Sequence, residues 1–309
     1  MRFETPEVLV LGAGGILGEA WMGGLLAGLT EATGFDPRGC EHFVGTSAGS
    51  IIAAGLAGGV DPASRLEELP EQPAALGDEE PRRSLLGGAL RFGRGAGATA
   101  FAPLAALALR STAFSGAAVR RAALARVPTG KRSLAGLGSA IGQLGLDWDG
   151  RLLVVAVEVE TGRRAIFGMP GETQLSVPQA VEASCAIPGV FRPIRSNGRA
   201  YVDGGAWSLT NLDVAPVERG TRVLCLNPTG SLGPMASLRG AVGPLSRSVA
   251  AVEALALQRR GAVVNTLAPD AEAARAMGGD FMDGRRRSAT QQAGYAQGLR
   301  AASAISAAA

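Results

Sequence analysis

The hydrophobic pattern alternates between short, continuous apolar runs and longer stretches with helical character. Runs of about four to eight apolar residues with turn residues at their ends are typical of strands buried on both faces. Such runs predict strands at 8–11, 43–44, 152–159, 164–167, 198–202 and 222–226. The intervening stretches predict helices at 19–32, from Ala48 onward, at 177–186, 246–268 and 287–304. This alternation of strands and helices indicates a layered α/β domain.

The pattern is interrupted between residues 61 and 150. Prolines and seven acidic residues fill 61–80, and ten basic residues with no acidic one fill 82–132. We therefore expect one domain over 1–309, with a core at about 7–60 and 151–309 and a basic helical insertion at about 61–150. Arginines on one face of amphipathic helices at 82–132 would suit an anionic membrane surface. The alternative is an alanine-rich insertion with a solvated arginine face.

A candidate nucleophile lies where the second predicted strand turns into a helix. The stretch Gly45-Thr46-Ser47-Ala48-Gly49 matches G-x-S-x-G, in which a serine occupies a sharp strand-to-helix turn with its Oγ exposed. Gly45 and Gly49 support this turn, because neighbouring backbone comes too close for a Cβ. A helix N-terminus at Ser47 would also favour negative charge on a bound substrate.

An ordinary serine triad is excluded. The chain has one histidine, His42, which precedes Ser47 by five residues on the incoming strand, and no histidine follows the serine. The hydrolase order of Ser, Asp or Glu, then His therefore cannot be met. We expect His42 to be a strand residue without a catalytic role.

The glycine loop after the first strand has two interpretations. Gly12-Ala13-Gly14-Gly15-Ile16-Leu17-Gly18 places backbone N–H groups before a helix, which is an arrangement that binds anions. A dinucleotide fingerprint requires G-x-G-x-x-G, but glycine arrives one residue late, and its acidic partner would be Glu31 or Asp36. As an oxyanion hole, the loop would supply the N–H groups of Gly14 and Gly15.

Asp203 is the candidate base. It ends a short predicted strand and precedes Gly204 and Gly205, so a substrate could approach closely. An aspartate at this point can accept the hydroxyl proton of a serine. Asp-Gly-Gly is also common in plain turns.

Four segments, taken together and in this order, resemble the patatin-like phospholipases, lipid acyl hydrolases with a Ser-Asp dyad. They are the loop 12–18, the elbow 45–49, the segment 183–191 that is similar to the family's A-S-x-A-x-P-x-x-F, and 203–205. The resemblance implies a three-layer α/β/α fold with a central, mostly parallel sheet and an inserted helical cap. It also implies cleavage of lipid esters by Ser47 and Asp203 through an acyl-enzyme, with Gly14 and Gly15 as oxyanion donors and with no metal or cofactor.

The loop departs from the family pattern at two positions. The family usually has G-G-G-x-R/K-G, whereas this chain has Ala13 for the first glycine and Leu17 for the basic residue. Ala13 keeps its backbone N–H. Leu17 lacks a cation, so either the substrate is neutral or a basic residue such as Arg192 or Arg195 replaces it. The alternative function is a catalytically impaired member that binds lipid or a protein partner.

Cysteine usage, hydropathy and the N-terminal sequence restrict the kinds of site and the location that this protein can have. Cys40, Cys185 and Cys225 are far apart with one histidine, which supports neither a disulfide framework nor a zinc site. No apolar run is long enough to span a membrane, and the N-terminus is a poor secretory signal. We expect a cytoplasmic protein, peripheral at most to the inner face of the membrane. The arginine block has no interleaved aromatic platform and no recognised nucleic-acid-binding module, so no nucleic-acid partner is expected.

Overall fold

A computed structural model describes residues 4–65, 116–169, 175–231 and 242–308. Its described part contains an eight-stranded sheet with helices on both faces. The strands are β1 (Val8–Leu11), β2 (His42–Thr46), β3 (Leu152–Glu158), β4 (Arg164–Phe167), β5 (Ile194–Ser196), β6 (Arg199–Asp203), β7 (Arg222–Leu226) and β8 (Val263–Leu267). The helices are α1 (Gly15–Thr33), α2 (Ala48–Ala57), α3 (Ala117–Leu124), α4 (Ala135–Gly142), α5 (Val177–Cys185), α6 (Val242–Arg259), α7 (Ala271–Met277) and α8 (Arg287–Ala308).

The sheet is mostly parallel. Strands β8, β7, β1, β2 and β3 follow one another as parallel neighbours, whereas β4 and β6 pair with β3, and β5 with β6, in antiparallel fashion. The loops after β1 and β2 therefore lie at the same edge of the sheet, where parallel α/β folds place their ligands.

Alternate residues of the central strands pack into two separate cores. Leu9 and Leu11 of β1 belong to the larger core with residues of α1, α2 and α5. Val8 and Val10 belong to the second core with residues of α6. Because both faces are covered by helices, the strands are apolar throughout. The prediction of a three-layer α/β/α fold is confirmed.

Strands β2 and β6 lie end to end along one edge of β3. Strand β4 pairs with residues 154–157 of β3, which overlaps the partners of β2 at 152–155 and the partners of β6 at 156–158. A strand residue pairs with only one neighbour on each side, so β2 and β6 share the edge opposite β4. Their carboxyl ends meet there, with Thr46 opposite Val155 and Asp203 opposite Ala156.

Helix α8 packs closely on α1. A Cβ added at Gly28 of α1 would lie 2.2 Å from the Tyr295 carbonyl oxygen, and one added at Gly298 of α8 would lie 2.4 Å from the Leu25 carbonyl oxygen. These two helix backbones can approach each other only because glycines line both sides of the contact. The C-terminal helix thereby covers the helix that follows the glycine loop.

The helix predicted at 246–268 is wrong in its last part. The helix α6 ends at Arg259, and Val263–Leu267 forms β8 at the edge of the sheet. Gly261 has φ +93°, a left-handed conformation that stops a helix, and the β-branched residues Val263, Val264 and Thr266 that follow favour a strand.

The basic block is described only from residue 116 onward, and 66–115 lie outside the described residues. Within the described part, Arg120 of α3 departs from the expected solvated arginine face, because it is only 1% exposed. Its Nε donates to the Ala206 carbonyl at 3.1 Å and its guanidinium donates to the Gly162 carbonyl at 2.8 Å. Arg120 thus fastens α3 to the segment after Asp203, whereas the adjacent Arg121 is exposed.

Candidate active site

Ser47 occupies a strained turn between β2 and α2. Its φ of 52° and ψ of −122° fall in a region that residues other than glycine rarely adopt, at a cost of about 1–3 kcal/mol. A Cβ at Gly49 would lie 1.9 Å from the Leu11 carbonyl oxygen, and one at Gly45 would lie 2.4 Å from the Ser50 Cα. Both glycines are therefore required by backbone contacts, which is the arrangement of a nucleophile elbow.

Asp203 is placed beside Ser47 by the end-to-end contact of β2 and β6. Its side chain is fully buried, and its Oδ1 accepts the Gly205 N–H at 2.7 Å. The other oxygen, Oδ2, has no hydrogen-bond partner among the described residues. The Ser47 hydroxyl is close enough to influence the carboxylate, although the two groups do not reach full hydrogen-bond geometry.

Burial raises the pKa of Asp203 to about 7, although the neighbouring Ser47 hydroxyl and the hydrogen bond from the Gly205 N–H lower it. Desolvation disfavours the charged carboxylate more than these two donors stabilise it. A carboxyl group with a pKa near neutrality can both accept and return a proton at physiological pH.

The glycine loop lies beside the elbow with backbone donors available. The N–H groups of Gly12 and Ala13 donate to the carbonyls of Leu226 and Leu209, which fixes the loop. In the described ranges, the N–H groups of Gly14 and Gly15 have no acceptor, and Gly15 begins α1 with φ +58°. The close contact of Gly49 with the end of β1 brings this loop next to the first turn of α2.

Position 17 faces the core. Leu17 is completely buried in the larger core, and its N–H donates to the Phe281 carbonyl at 3.0 Å. In this structure a side chain at 17 thus points away from the surface where a substrate would bind. Arg192 and Arg195, the suggested replacements, are both exposed, and the Arg192 Nε donates to the Lys131 carbonyl.

The other candidate residues from the sequence lie away from Ser47 and Asp203. His42 begins β2, so the strand rise places it about 15 Å from Ser47. Asp36 caps the short turn at Pro37–Gly39 and pairs with Arg38, and Glu31 accepts a hydrogen bond from Tyr295. Among the described residues, no group of three or more His, Cys, Asp or Glu side chains is arranged to hold a metal ion.

The family model for patatin-like phospholipases matches residues 9–216, more than half of the 309-residue chain. This chain belongs to the patatin-like phospholipase family. Within the described residues, no helix is both long and apolar enough to cross a membrane.

Two known proteins are similar to this patatin-like chain. "Probable lipid hydrolase 463L" of Invertebrate iridescent virus 6 is 30% identical over 64 residues, which cover 21% of this chain and 22% of that protein. The match thus spans about a fifth of the relative's length. The crystal structure of VipD from Legionella pneumophila aligns with 98% of this chain and 67% of its own, with 16% sequence identity and a TM-score of 0.44.

Sequence reasoning missed Asn211, which connects both halves of the patatin-like site. Its side chain is fully buried and its Nδ2 donates to the Thr46 Oγ1 at 3.1 Å and to the Ser208 carbonyl at 2.7 Å, with a longer contact of 3.4 Å to the Gly204 carbonyl. It therefore links the residue before Ser47 to the residue after Asp203. The signal in the sequence is limited to three polar residues, Ser208, Thr210 and Asn211, shortly after an apolar predicted strand.

The sequence gives Ser184 no role beyond its place in the segment 183–191. Its hydroxyl is fully buried, accepts the Ser47 N–H at 2.8 Å and donates to the Val155 carbonyl at 2.6 Å. The contact joins residues 137 positions apart, so local sequence patterns could not indicate it.

Proposed function

We propose that this chain is a serine acyl hydrolase that cleaves fatty-acyl ester bonds of lipids, of the phospholipase A or esterase type. Ser47 is the nucleophile and Asp203 is the base that activates it. The observation that carries the proposal is the pairing of a strained elbow serine with a buried carboxylate whose Oδ2 has no hydrogen-bond partner among the described residues. The family assignment supports the lipid substrate class.

In the acylation step, the Asp203 carboxylate takes the proton from the Ser47 Oγ while this oxygen attacks the ester carbonyl carbon. The carbonyl π electrons move to the oxygen, which becomes a tetrahedral oxyanion. When the oxyanion collapses, the bond to the alcohol oxygen breaks. Asp203 returns its proton to that leaving oxygen, and the acyl group stays on Ser47.

The oxyanion is stabilised by the glycine loop. The N–H groups of Gly14 and Gly15 have no acceptor in the described part of the chain and lie next to the elbow, so they are free to donate to the oxyanion. The N-terminus of α2 begins at Ala48 and adds the positive end of the helix dipole. Losing one such donor lowers the rate by about 10²–10³ in enzymes of this kind.

Water completes the cycle in the deacylation step. Asp203 removes a proton from a water molecule, whose oxygen attacks the acyl carbon, and the proton then passes to the Ser47 Oγ as the acid product leaves. The same carboxyl group acts in both directions because its pKa of about 7 makes both of its forms accessible near neutral pH.

A fluorophosphonate probe that labels activated serines tests this proposal, together with hydrolysis of short and long p-nitrophenyl esters. We expect labelling and turnover in the wild-type chain, and neither in Ser47→Ala or Asp203→Asn when circular dichroism shows both variants folded. Ser64→Ala, which removes an exposed hydroxyl, is the matched control and should behave like the wild type. Turnover in folded Ser47→Ala would disprove the assignment. Absence of labelling in folded wild-type protein would favour a chain that binds lipid or a protein partner without catalysis.

A peripheral contact with anionic membranes belongs to the same proposal. The described part of the basic block exposes Arg121, Arg126 and Lys131. Cations on a surface near the bilayer each contribute about 1 kcal/mol to the attraction of anionic lipid. Such a contact would bring the chain to its lipid esters.

A further inference from the structure

We propose that Ser184 is a positioning residue that sets the backbone of the nucleophile turn, an inference that rests on the proposed function of Ser47. Its hydroxyl bridges the Ser47 N–H and the Val155 carbonyl with bonds of 2.8 and 2.6 Å. Ser184 touches neither the substrate nor the reacting atoms. It acts through the position of Ser47.

The bridge stands where the hydrogen-bond ladder of the sheet would otherwise continue. In the parallel pair of β2 and β3, the Phe43 N–H donates directly to the Arg151 carbonyl. Parallel ladders repeat this bond every second residue, so a continuing ladder would join the Ser47 N–H directly to the Val155 carbonyl. The Ser184 hydroxyl is inserted between these two groups instead.

This insertion takes the Ser47 N–H off the β3 ladder directly after Thr46, the last residue of β2 that pairs with β3. The chain leaves the sheet at Ser47 and enters α2 through the positive φ of 52°. One side chain thereby satisfies a buried donor and a buried acceptor at the junction where β2 and β6 meet. Water does not need to enter this junction.

The end of α5 contacts both members of the dyad through three consecutive residues. Ser184 holds the Ser47 N–H, and the Ala186 carbonyl accepts the Asp203 N–H at 3.0 Å. Between them, the Cys185 Sγ lies 3.8 Å from the Ser50 Oγ, which donates to the Ser47 carbonyl at 2.7 Å. The last turn of this helix therefore fixes the spacing between nucleophile and base.

The variant Ser184→Ala removes the bridge without adding volume. The Ser47 N–H and the Val155 carbonyl must then either stay unpaired in a buried site or move towards each other until they form the direct hydrogen bond of a continuing ladder. Each outcome shifts the Ser47 Oγ relative to Asp203. Since misplacement of a reacting group by about 1 Å lowers rates by up to about 10²-fold, we expect kcat and the rate of fluorophosphonate labelling to fall roughly 10- to 100-fold. KM should remain within about twofold.

The matched control is Ser246→Ala. Ser246 is also a buried serine, and its hydroxyl bonds to the Asn227 Oδ1 at 3.0 Å and to Thr229 at 2.8 Å. This control should lose thermal stability but keep kcat. A second variant, Ser184→Cys, retains a weak and longer bridge, so its kcat and labelling rate should lie between those of the wild type and Ser184→Ala. If the alanine variant does not fold, the cysteine variant alone tests the role.

Steady-state kinetics and labelling of these variants decide the role of Ser184. A kcat equal to that of wild type in folded Ser184→Ala or Ser184→Cys would overturn the positioning role. An effect of Ser184→Ala that appears only as a raised KM would also overturn it. So would a loss of kcat in Ser246→Ala as large as the loss in Ser184→Ala. None of these results affects the dyad, because wild-type labelling is then intact. Unlabelled, folded wild-type protein would instead overturn the proposed function and this inference with it.

Discussion

The guanidinium of Arg120 lies 3.9 Å from the centre of the Trp207 ring, four residues beyond Asp203. Arg164 lies near the same ring at 5.2 Å and pairs with Asp213 at 2.7 Å. Burial, and secondarily the charge of Arg164, lowers the pKa of Arg120 to about 10, so this arginine stays charged at neutral pH. A side chain of the basic block thereby supports the segment that follows the candidate base.

Replacing Arg120 by alanine should destabilise the fold. The change leaves the Ala206 and Gly162 carbonyls without their donor, and each unpaired buried group costs about 1–3 kcal/mol. We expect the free energy of unfolding to fall by about 2–5 kcal/mol in denaturant titrations. Arg121→Ala, on the exposed side of the same helix, should change it by less than about 0.5 kcal/mol. Equal effects of the two variants would contradict the buried role of Arg120.

The reaction of Ser47 should depend on the ionisation of Asp203. Because the carboxylate form is the base, and because burial raises its pKa to about 7, kcat/KM for an ester should rise with pH through about 7 and then level. Burial also raises the pKa of Glu253 to about 7, so Glu253→Gln is the control and should leave the profile in place. A profile that is flat from about pH 5 to 9 would mean that Asp203 titrates near the ordinary carboxyl value.

Stability should have the opposite dependence on pH. Asp203 and Glu253 have folded pKa values of about 7, above the ordinary carboxyl values of 3.8 and 4.5. Between these values the folded chain binds more protons than the unfolded chain, so the free energy of unfolding decreases as pH rises from about 4 to about 7. For Asp203 the decrease is at most about 4 kcal/mol. Asp203→Asn should flatten this part of the curve in thermal melts at pH 5 and pH 8. A wild-type chain that is more stable at pH 8 would contradict the two raised pKa values.

The elbow should not tolerate a methyl group at position 49. In Gly49→Ala the new Cβ would lie 1.9 Å from the Leu11 carbonyl oxygen, and the backbone there has little room to move. We expect a loss of at least about 2–3 kcal/mol, together with the loss of labelling at Ser47. Gly23→Ala is the control, since a Cβ at that position of α1 meets nothing within 4 Å. It should be neutral or stabilising by about 0.5–1 kcal/mol, measured by the same denaturant titration.

Binding to anionic vesicles should depend on the exposed cations of the basic block. Arg121→Glu and Arg126→Glu should each weaken sedimentation with anionic vesicles by at least about fivefold, and added salt should weaken it for the wild type. Arg219→Glu changes an exposed arginine before β7, at the opposite end of the sheet from Ser47, and should have no effect. Equal binding to neutral and anionic vesicles would contradict a contact of this kind.

The parts of the fold that were predictable are those governed by neighbouring residues. The apolar run of β1 and the proline-initiated α5 follow from local chemistry, and both predictions are confirmed. The glycines around Ser47 also follow from local chemistry, since backbone contacts leave no room for a Cβ at either position. Strand β8 does not follow from the helical pattern, because Gly261 with its positive φ divides a stretch whose apolar spacing predicts one continuous helix. The contacts of Ser184 and Asn211 could not be predicted, because they join Ser47 and Thr46 to residues more than 130 positions away.

The pairing of β1 with β7 limits how far the chain can be shortened at its C-terminal end. The family match ends at residue 216, yet β1, which carries the glycine loop, has β7 as one of its two partners, with Val8 opposite Val223. Shortening the chain to residue 216 would open the middle of the sheet and also strip α8 from α1. The proposed acyl-transfer site therefore depends on a stretch of polypeptide that contributes none of the proposed reacting groups.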